Sequence, residues 1–476
     1  MGMVAIPDSF VARFTAPAWL LACLVLGGSS GGGVLVNGLL QIAGGAIVCW
    51  AITRGFWSTL ERPARQLLMI VAAAALLALI SLIPLPPALW TLLPSRDEVF
   101  RAYALIGMPA PWLPVSLTPD ATIAALFSLL PPLAMFLLLG ASSAEGRRAT
   151  LFTLVAVAFA SVLFGVVQQV AGFRSNTYIY QFTSRGGAVG FFANRNHLAT
   201  LCLMTIPFLA AMAAFSRRKR DATQLFGWAP AIGALLLLVV GAIVVQSLAG
   251  WILLPPTLMA CALLFRRPRE GKPSRALVAG LVALVAAAVL FALFAPWSPA
   301  DLARVGGEVQ PQQRRGIMGL SWQAARHFAP VGSGWGSFVD VYHRFENPTT
   351  VTSTFVNHAH NDYLELLLET GIGGIALVLA LAVWWLGRIR EAWRSGGDPV
   401  ARAATISIGA LMAHSFVDYP IRTAAIACVA ALCCGLAGVR TAAAEAPRRT
   451  RERSTGTIML GAGARPRGKS AAPATS

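Results

Sequence analysis

Apolar runs close to the length of a bilayer crossing recur along the whole chain, and no other feature constrains its fold as tightly. Candidate spans lie near 16–28, 34–52, 66–84, 121–140, 150–171, 196–216, 228–246, 250–265, 277–296, 367–387, 402–417 and 421–439. A helix rises about 1.5 Å per residue, so about 20 apolar residues cross the hydrocarbon core. No water is available there, and a helix satisfies its own backbone hydrogen bonds. The runs therefore predict an all-α polytopic membrane protein of about twelve transmembrane helices, with a large outer loop between the ninth and tenth. Only 12% of the residues are charged and 56% are hydrophobic. That balance excludes a soluble or secreted globular enzyme.

Orientation follows from the basic residues, because cytoplasmic loops carry the Lys and Arg excess. Arg54, Arg62 and Arg65 fall between spans two and three, Arg147 and Arg148 between four and five, and Arg217, Arg218, Lys219 and Arg220 between six and seven. Arg266, Arg267, Arg269, Lys272 and Arg275 separate spans eight and nine, and Arg388, Arg390, Arg394 and Arg402 separate ten and eleven. Sorted this way, 27 basic and 9 acidic residues lie inside and 11 of each lie outside, so the net charge of +18 is wholly an inner-side excess. Both termini are expected in the cytoplasm. No nucleic-acid partner is needed to explain the basic composition, and the tail 441–476 reads as a basic disordered segment near anionic headgroups.

The first apolar run lacks an A-x-A-like cleavage site and reads as a retained helix. All seven cysteines (Cys23, Cys49, Cys202, Cys261, Cys428, Cys433 and Cys434) fall in expected spans, which indicates neither a disulfide framework nor a thiolate metal site. All six histidines (His197, His327, His343, His358, His360 and His414) fall on the outer side or at outer helix ends. The outer face is therefore the expected site of chemistry.

Three outer segments are long: about 85–120, 172–195 and 297–366. In the first, Trp90 and Trp112 read as interfacial anchors, and no catalytic residue is expected. The last contains VNHAHNDYLELLLETGIGG at 356–374, which spaces His360 and Asn361 nine residues ahead of Gly371-x-x-Gly374. If helical from His358, the string puts His358, Asp362, Glu365 and Glu369 on one face. The two glycines would admit a close neighbouring helix. His358, His360 and Asp362 also alternate as strand-borne metal ligands would, but the LELLLE run favours a helix, on which they do not align, and no metal is expected.

That spacing, together with GFFANRNHLA at 190–199, RRGIMGLSWQAARHFAPVGSGWGSF at 314–338 and HSFVDYPIRT at 414–423, resembles the bacterial O-antigen ligase and polymerase superfamily over roughly residues 150–440. The resemblance implies a metal-independent inner-membrane glycosyltransferase without a cofactor, similar to the C-type enzymes. Such an enzyme takes a glycan from an undecaprenyl diphosphate carrier and transfers it to an acceptor hydroxyl on the periplasmic side, in surface polysaccharide (lipopolysaccharide) biosynthesis. Its partners would be the lipid-linked donor, a glycan, lipid or protein acceptor, and membrane lipid. It also implies a division into helices one to four (1–149), a ligase-like membrane domain with the periplasmic loop 297–366 (150–440), and the tail.

The transfer requires a base near the acceptor hydroxyl and cations for the departing diphosphate. His360 matches the family's motif histidine and is the expected base. On the residues alone, a structural histidine capping the next helix with Asn361 would be the preferred reading. Arg314 and Arg315 stand where the family places its loop arginine, and a guanidinium fork suits phosphate oxygens. Which of the two faces inward is open at this point. Many members carry a Ser-Arg pair at the outer start of the eighth span, whereas this chain reads Gln246, Ser247, Leu248, with Leu248 in the arginine's place. Arg195, between Asn194 and Asn196 at the start of span six, is expected to supply the second cation, with Arg185 as the other candidate. Asn361, His414, Asp418 and Arg422 complete the expected substrate-binding set, although a structural Asp418–Arg422 pair explains the last two equally well. The Gly332, Ser333, Gly334, Trp335, Gly336 run fits a close approach to phosphate or sugar, or a tight turn. Beyond ligase and polymerase, a secondary transporter and a catalytically silent assembly scaffold are the readings from other classes. No internal repeat of the transporter kind is visible.

Overall fold

The computed structural model describes residues 10–32, 34–55, 60–218, 229–265, 311–349, 351, 355–394 and 397–438. Its helices in chain order are α1 (Phe10–Leu26), α2 (Leu35–Thr53), α3 (Arg62–Ser81), α4 (Pro87–Trp90), α5 (Asp97–Leu105), α6 (Pro119–Ser128), α7 (Leu130–Ala141), α8 (Ala144–Ala171), α9 (Arg195–Arg218), α10 (Ala229–Val244), α11 (Leu248–Ala262), α12 (Pro311–Phe328), α13 (Phe338–Tyr342), α14 (Asp362–Ala392), α15 (Pro399–His414) and α16 (Ala424–Gly438). Among the described residues the only β-type pairing is an isolated bridge between Leu85 and Leu113. Among the described residues, seven helical stretches are long and apolar enough to cross a membrane: Leu35–Thr53, Arg62–Ser81, Pro119–Ala141, Ala144–Ala171, Arg195–Ala214, Leu248–Phe265 and Asp362–Ala392. Arg13–Leu26, Gly233–Val244 and Ala424–Gly438 are apolar but shorter. The expected ninth span at 277–296, residues 297–310 of the long outer segment and the tail 441–476 lie outside the described residues.

The innermost helix is α9, buried along nearly all of Arg195–Ala214 and packed against α8, α10, α11 and α15. It buries polar side chains because they find partners within the turn. The Thr200 and Thr205 hydroxyls donate to the Asn196 and Leu201 carbonyls at 2.9 and 2.7 Å. Its early turns also accept a neighbour closely: a Cβ on Gly250 of α11 would stand 2.9 Å from that of Ala199. The periphery is the opposite. Helices α2 and α3 expose Leu35, Leu39, Ile42, Met69, Leu76 and Leu79, an apolar surface that suits hydrocarbon.

Local chemistry fixes where the helices begin and end. Ser247 caps α11 by accepting from the Gly250 N–H, and Asp398 caps α15 by accepting from Val400. At the far end of α14, Arg402 donates to the carbonyls of Ala392 and Arg394 at 2.9 and 3.0 Å, covering acceptors the helix cannot satisfy itself. Within α14 the backbone breaks at Gly371 (φ 60°, ψ −147°). A second small core of Ile317, Ala324, Phe328, Phe338, Val341, Tyr342 and Leu368 holds α12 and α13 against α14 ahead of that break.

Four expectations are changed or decided. Helix α14 starts at Asp362, not His358, because Asn361 caps it, its Oδ1 accepting from Tyr363 and Leu364. Trp90 is not an interfacial anchor: it is 1% exposed, and its indole N–H donates to the Pro111 carbonyl at 2.9 Å. Trp112 is the exposed one. The glycine run 332–336 makes a tight turn against protein. Ser333 and Gly334 donate to the carbonyls of Leu368 and Glu369, and a Cβ on Gly334 would lie 2.2 Å from Ser116 Oγ. Likewise the close neighbour of Gly371 is the Pro330 carbonyl, not a helix.

Candidate active site

The chain reaches α14 through a turn in which His360 takes a left-handed backbone (φ 52°). That conformation is uncommon without glycine and marks a residue whose placement the surroundings enforce. His360 is 7% exposed, and its Nδ1 lies 3.3 Å from Asp418 Oδ1. Asp418 also accepts the Tyr419 N–H at 3.0 Å. Burial alone would raise the Asp418 pKa, but the His360 hydrogen bond and charge, followed by Arg314 and His197, hold it below the ordinary carboxylate range. An ionised carboxylate can only accept. In the neutral imidazole the hydrogen therefore sits on Nδ1, which leaves Nε2, without a hydrogen-bond partner among the described residues, as the nitrogen that can take a proton.

Tyr419 is the hub around which this corner closes. Its ring centroid lies 4.2 Å from that of His358, 5.0 Å from His360 and 5.3 Å from His197. His414 is fully buried, with Nδ1 2.9 Å from the Thr200 hydroxyl. Arg314, on the first turn of α12, is within electrostatic reach of both Asp418 and His414. It is half-buried, whereas Arg315 is exposed. Of the two loop arginines, Arg314 is the less exposed and the one with an electrostatic effect on Asp418 and His414.

A separate ionic cluster braces the start of α14. Arg422, in the short turn Pro420–Arg422, meets Glu369 at 3.1 Å, Glu365 at 3.4 Å and Asp362 at 3.6 Å. Burial alone would lower the Arg422 pKa; Glu365, Glu369 and Asp362 outweigh it and raise it. The three carboxylates do share a helix face, as the spacing predicts. His358 joins them by folding back from outside the helix, with Nδ1 2.8 Å from Glu365 Oε1, while the Ala359 N–H donates to Glu365 Oε2 at 2.8 Å. The Ser415 hydroxyl donates to Asp362 at 2.7 Å. The alternative pairing of Asp418 with Arg422 is not formed, because each has a different partner. His358 and His360 turn to different carboxylates, and among the described residues no three His, Cys, Asp or Glu are arranged to hold a metal ion.

At the head of α9, Asn194 Oδ1 accepts the Asn196 N–H at 2.8 Å, and its Nδ2 lies 3.5 Å from the Tyr419 hydroxyl. Asn196 accepts the Ser247 hydroxyl at 2.7 Å. These bonds tie the asparagines, the start of α11 and the Tyr419 corner together. Arg195 is 7% exposed, its side chain against Gly187, while Arg185 stacks over Tyr178. Leu248 occupies the first turn of α11 beside Ser247. Asn361 uses its Oδ1 for the helix cap. Tyr419 escapes a reading of the sequence, since no spacing shows that separate segments bring the rings of His197, His358 and His360 to it; the spacing does group His358 with Glu365, though on a helix that His358 does not join. Two buried histidines next to a Tyr-Pro turn are the only signal.

The fold and this site together define a polytopic, all-helical membrane protein with a histidine–carboxylate pair and an arginine gathered at one end of the helix bundle. Residues 233–379 match the family described as O-antigen ligase, and this part of the chain is similar to that family. The matched stretch carries Arg314, Arg315, His360, Asn361 and the Gly371-x-x-Gly374 element; the α9 residues and Asp418 lie outside it. None of the curated proteins matches the chain.

Proposed function

We propose that the chain is a periplasm-facing glycan transferase of the inner membrane, ligase-like, with both termini in the cytoplasm and about twelve spans. It moves an undecaprenyl-diphosphate-linked oligo- or polysaccharide to an acceptor hydroxyl. The observation that carries this reading is the buried His360–Asp418 pair, which orients Nε2 of the neutral imidazole as the base, with Arg314 within electrostatic reach of Asp418. In the reaction the acceptor oxygen attacks the anomeric carbon and its proton passes to His360 Nε2. The bond from that carbon to the diphosphate oxygen breaks, and the charge that develops on the diphosphate falls to Arg314, with Arg195 as the second cation in place of the arginine absent at Leu248. Asp418 holds the imidazole in the basic tautomer and stabilises the imidazolium. Asn194, Asn196 and Tyr419 fix the walls of the site.

The test is genetic and direct. Deletion of the protein followed by electrophoresis of the cell's surface glycans is expected to abolish their attachment while long chains persist. Collapse to single repeat units would instead make the chain a polymerase acting through the same site. His360→Ala is expected to reproduce the deletion while inserting normally, and intact glycan assembly in that variant would overturn the proposal.

A further inference from the structure

The segment between α3 and α6 holds a buried cation that the transfer reaction leaves unused. Arg96 is 2% exposed. A guanidinium offers five N–H donors, yet only Nη2 has a partner, the Val115 carbonyl, while Nε and Nη1 are buried without one. No carboxylate pairs with it among the described residues. The charged group within its reach is a second cation, the exposed Arg344. Burial, then Arg344, lower the Arg96 pKa to about 10, so it stays charged at neutral pH. Its plane lies over the Phe328 ring at 5.6 Å, and the preceding Ser95, itself left-handed (φ 61°), donates its hydroxyl to the His327 carbonyl at 2.6 Å. The end of α12 thus holds the head group in place while part of its donor fork lacks an acceptor.

Buried charged donors are matched by acceptors in native proteins, and a buried guanidinium with Nε and Nη1 unmatched calls for an anion. We propose that Arg96 and Arg344 form an oxyanion subsite that receives an acidic group, phosphate or carboxylate, carried by the acceptor. Helix α12 sets the distance from the chemistry. Arg314 stands on its first turn and Phe328 at its end, and 14 intervening steps at about 1.5 Å make roughly 20 Å. An acceptor whose hydroxyl sits at His360 would thus be held by its anionic group a few sugar units away. Arginine suits this because its fork grips two oxygens at once. The identity of the ligand as acceptor rests on the transferase reading; the anion binding itself does not.

The experiment uses the full-length protein in nanodiscs carrying Arg314→Ala, so that the site near His360 loses a cation. Thermal unfolding is followed while inorganic phosphate or acetate replaces chloride at constant ionic strength. A saturable rise in Tm is expected. It should vanish in Arg96→Gln, and its half-saturating concentration should increase about tenfold in Arg344→Gln, an exposed position whose change spares the core. A phosphate-only response identifies a phosphoryl group as the ligand, and a comparable response to acetate identifies a sugar carboxylate. Should Arg96→Gln not fold, Arg96→Lys keeps the charge but not the fork, and its half-saturating concentration should rise several-fold. Absence of a saturable rise, or a rise unchanged in both Arg344→Gln and Arg96→Lys, would overturn the subsite. Failure of the wild type to transfer glycan would sink the transferase reading and leave the anion titration intact.

Discussion

His360 and Asp418, 58 positions apart in the chain, meet at 3.3 Å between Nδ1 and Oδ1 in a buried corner of the helix bundle. The contact decides which imidazole nitrogen is basic. Asp418→Asn replaces a pure acceptor with a group that can donate to Nδ1, which moves the ring hydrogen to Nε2 and removes the base. Transfer should fall about 10²- to 10⁴-fold with KM little changed, measured as turnover of purified enzyme on a lipid-linked donor. A loss confined to KM would assign Asp418 to substrate binding instead.

Arg314 and Arg315 are adjacent, but only Arg314 is half-buried and within reach of Asp418. Arg314→Ala should reduce turnover about 10²- to 10³-fold, the usual consequence of removing a donor that stabilises developing charge. Arg315→Ala should stay close to wild type. Side-by-side turnover of the two variants checks this, and equal losses would place both side chains on the diphosphate.

Much of this architecture can be read from residue order because hydrocarbon imposes one dominant rule. The expected spans that fall on described residues meet helices α1–α3, α6–α11 and α14–α16, whereas α4, α5, α12 and α13 lie in segments read as outer loops; the inward-facing surface of α14 follows from the spacing of Asp362, Glu365 and Glu369. The partners of that surface are less legible. The sequence offers Arg422 as a substrate ligand or as a partner of Asp418, and does not point to the three carboxylates, which belong to a distant segment of the chain. The choice depends on how the 420–422 turn folds back over α14. The helix α14 starts one turn later than the spacing predicts, because His358 fits the face of Asp362, Glu365 and Glu369 whereas Asn361 caps the helix behind it. Trp90 was misread because an indole N–H can anchor to a headgroup or to a buried carbonyl such as that of Pro111. Sequence shows the donor and not the acceptor.

Arg422 forms ion pairs with Asp362, Glu365 and Glu369. Arg422→Ala leaves these buried carboxylates facing each other and should destabilise the protein by about 3–5 kcal/mol. Arg422→Lys should recover part of the loss, as a point charge without the fork. Unfolding of the purified variants checks this. If Arg422→Ala unfolded like wild type yet lost activity, the arginine would be a substrate ligand and not a brace.

The break at Gly371 aims the first turns of α14, and with them Glu365 and Glu369, at Arg422. Its conformation (φ 60°, ψ −147°) is one that only glycine adopts readily. A Cβ there would stand 2.0 Å from the Pro330 carbonyl oxygen, which also accepts the Ile372 N–H at 2.9 Å. Gly371→Ala should therefore combine about 1–3 kcal/mol of backbone strain with a clash that pushes the 330–331 turn away from α14, and both stability and turnover should fall. Gly387, on the same helix with open space around its Cα, is the matched control. Gly387→Ala should leave turnover unchanged and add about 0.5–1 kcal/mol of stability. Unfolding and turnover of the two variants separate a general intolerance of larger side chains on α14 from a specific need for the break: similar losses in both would show that the helix, and not its bend, places the carboxylates.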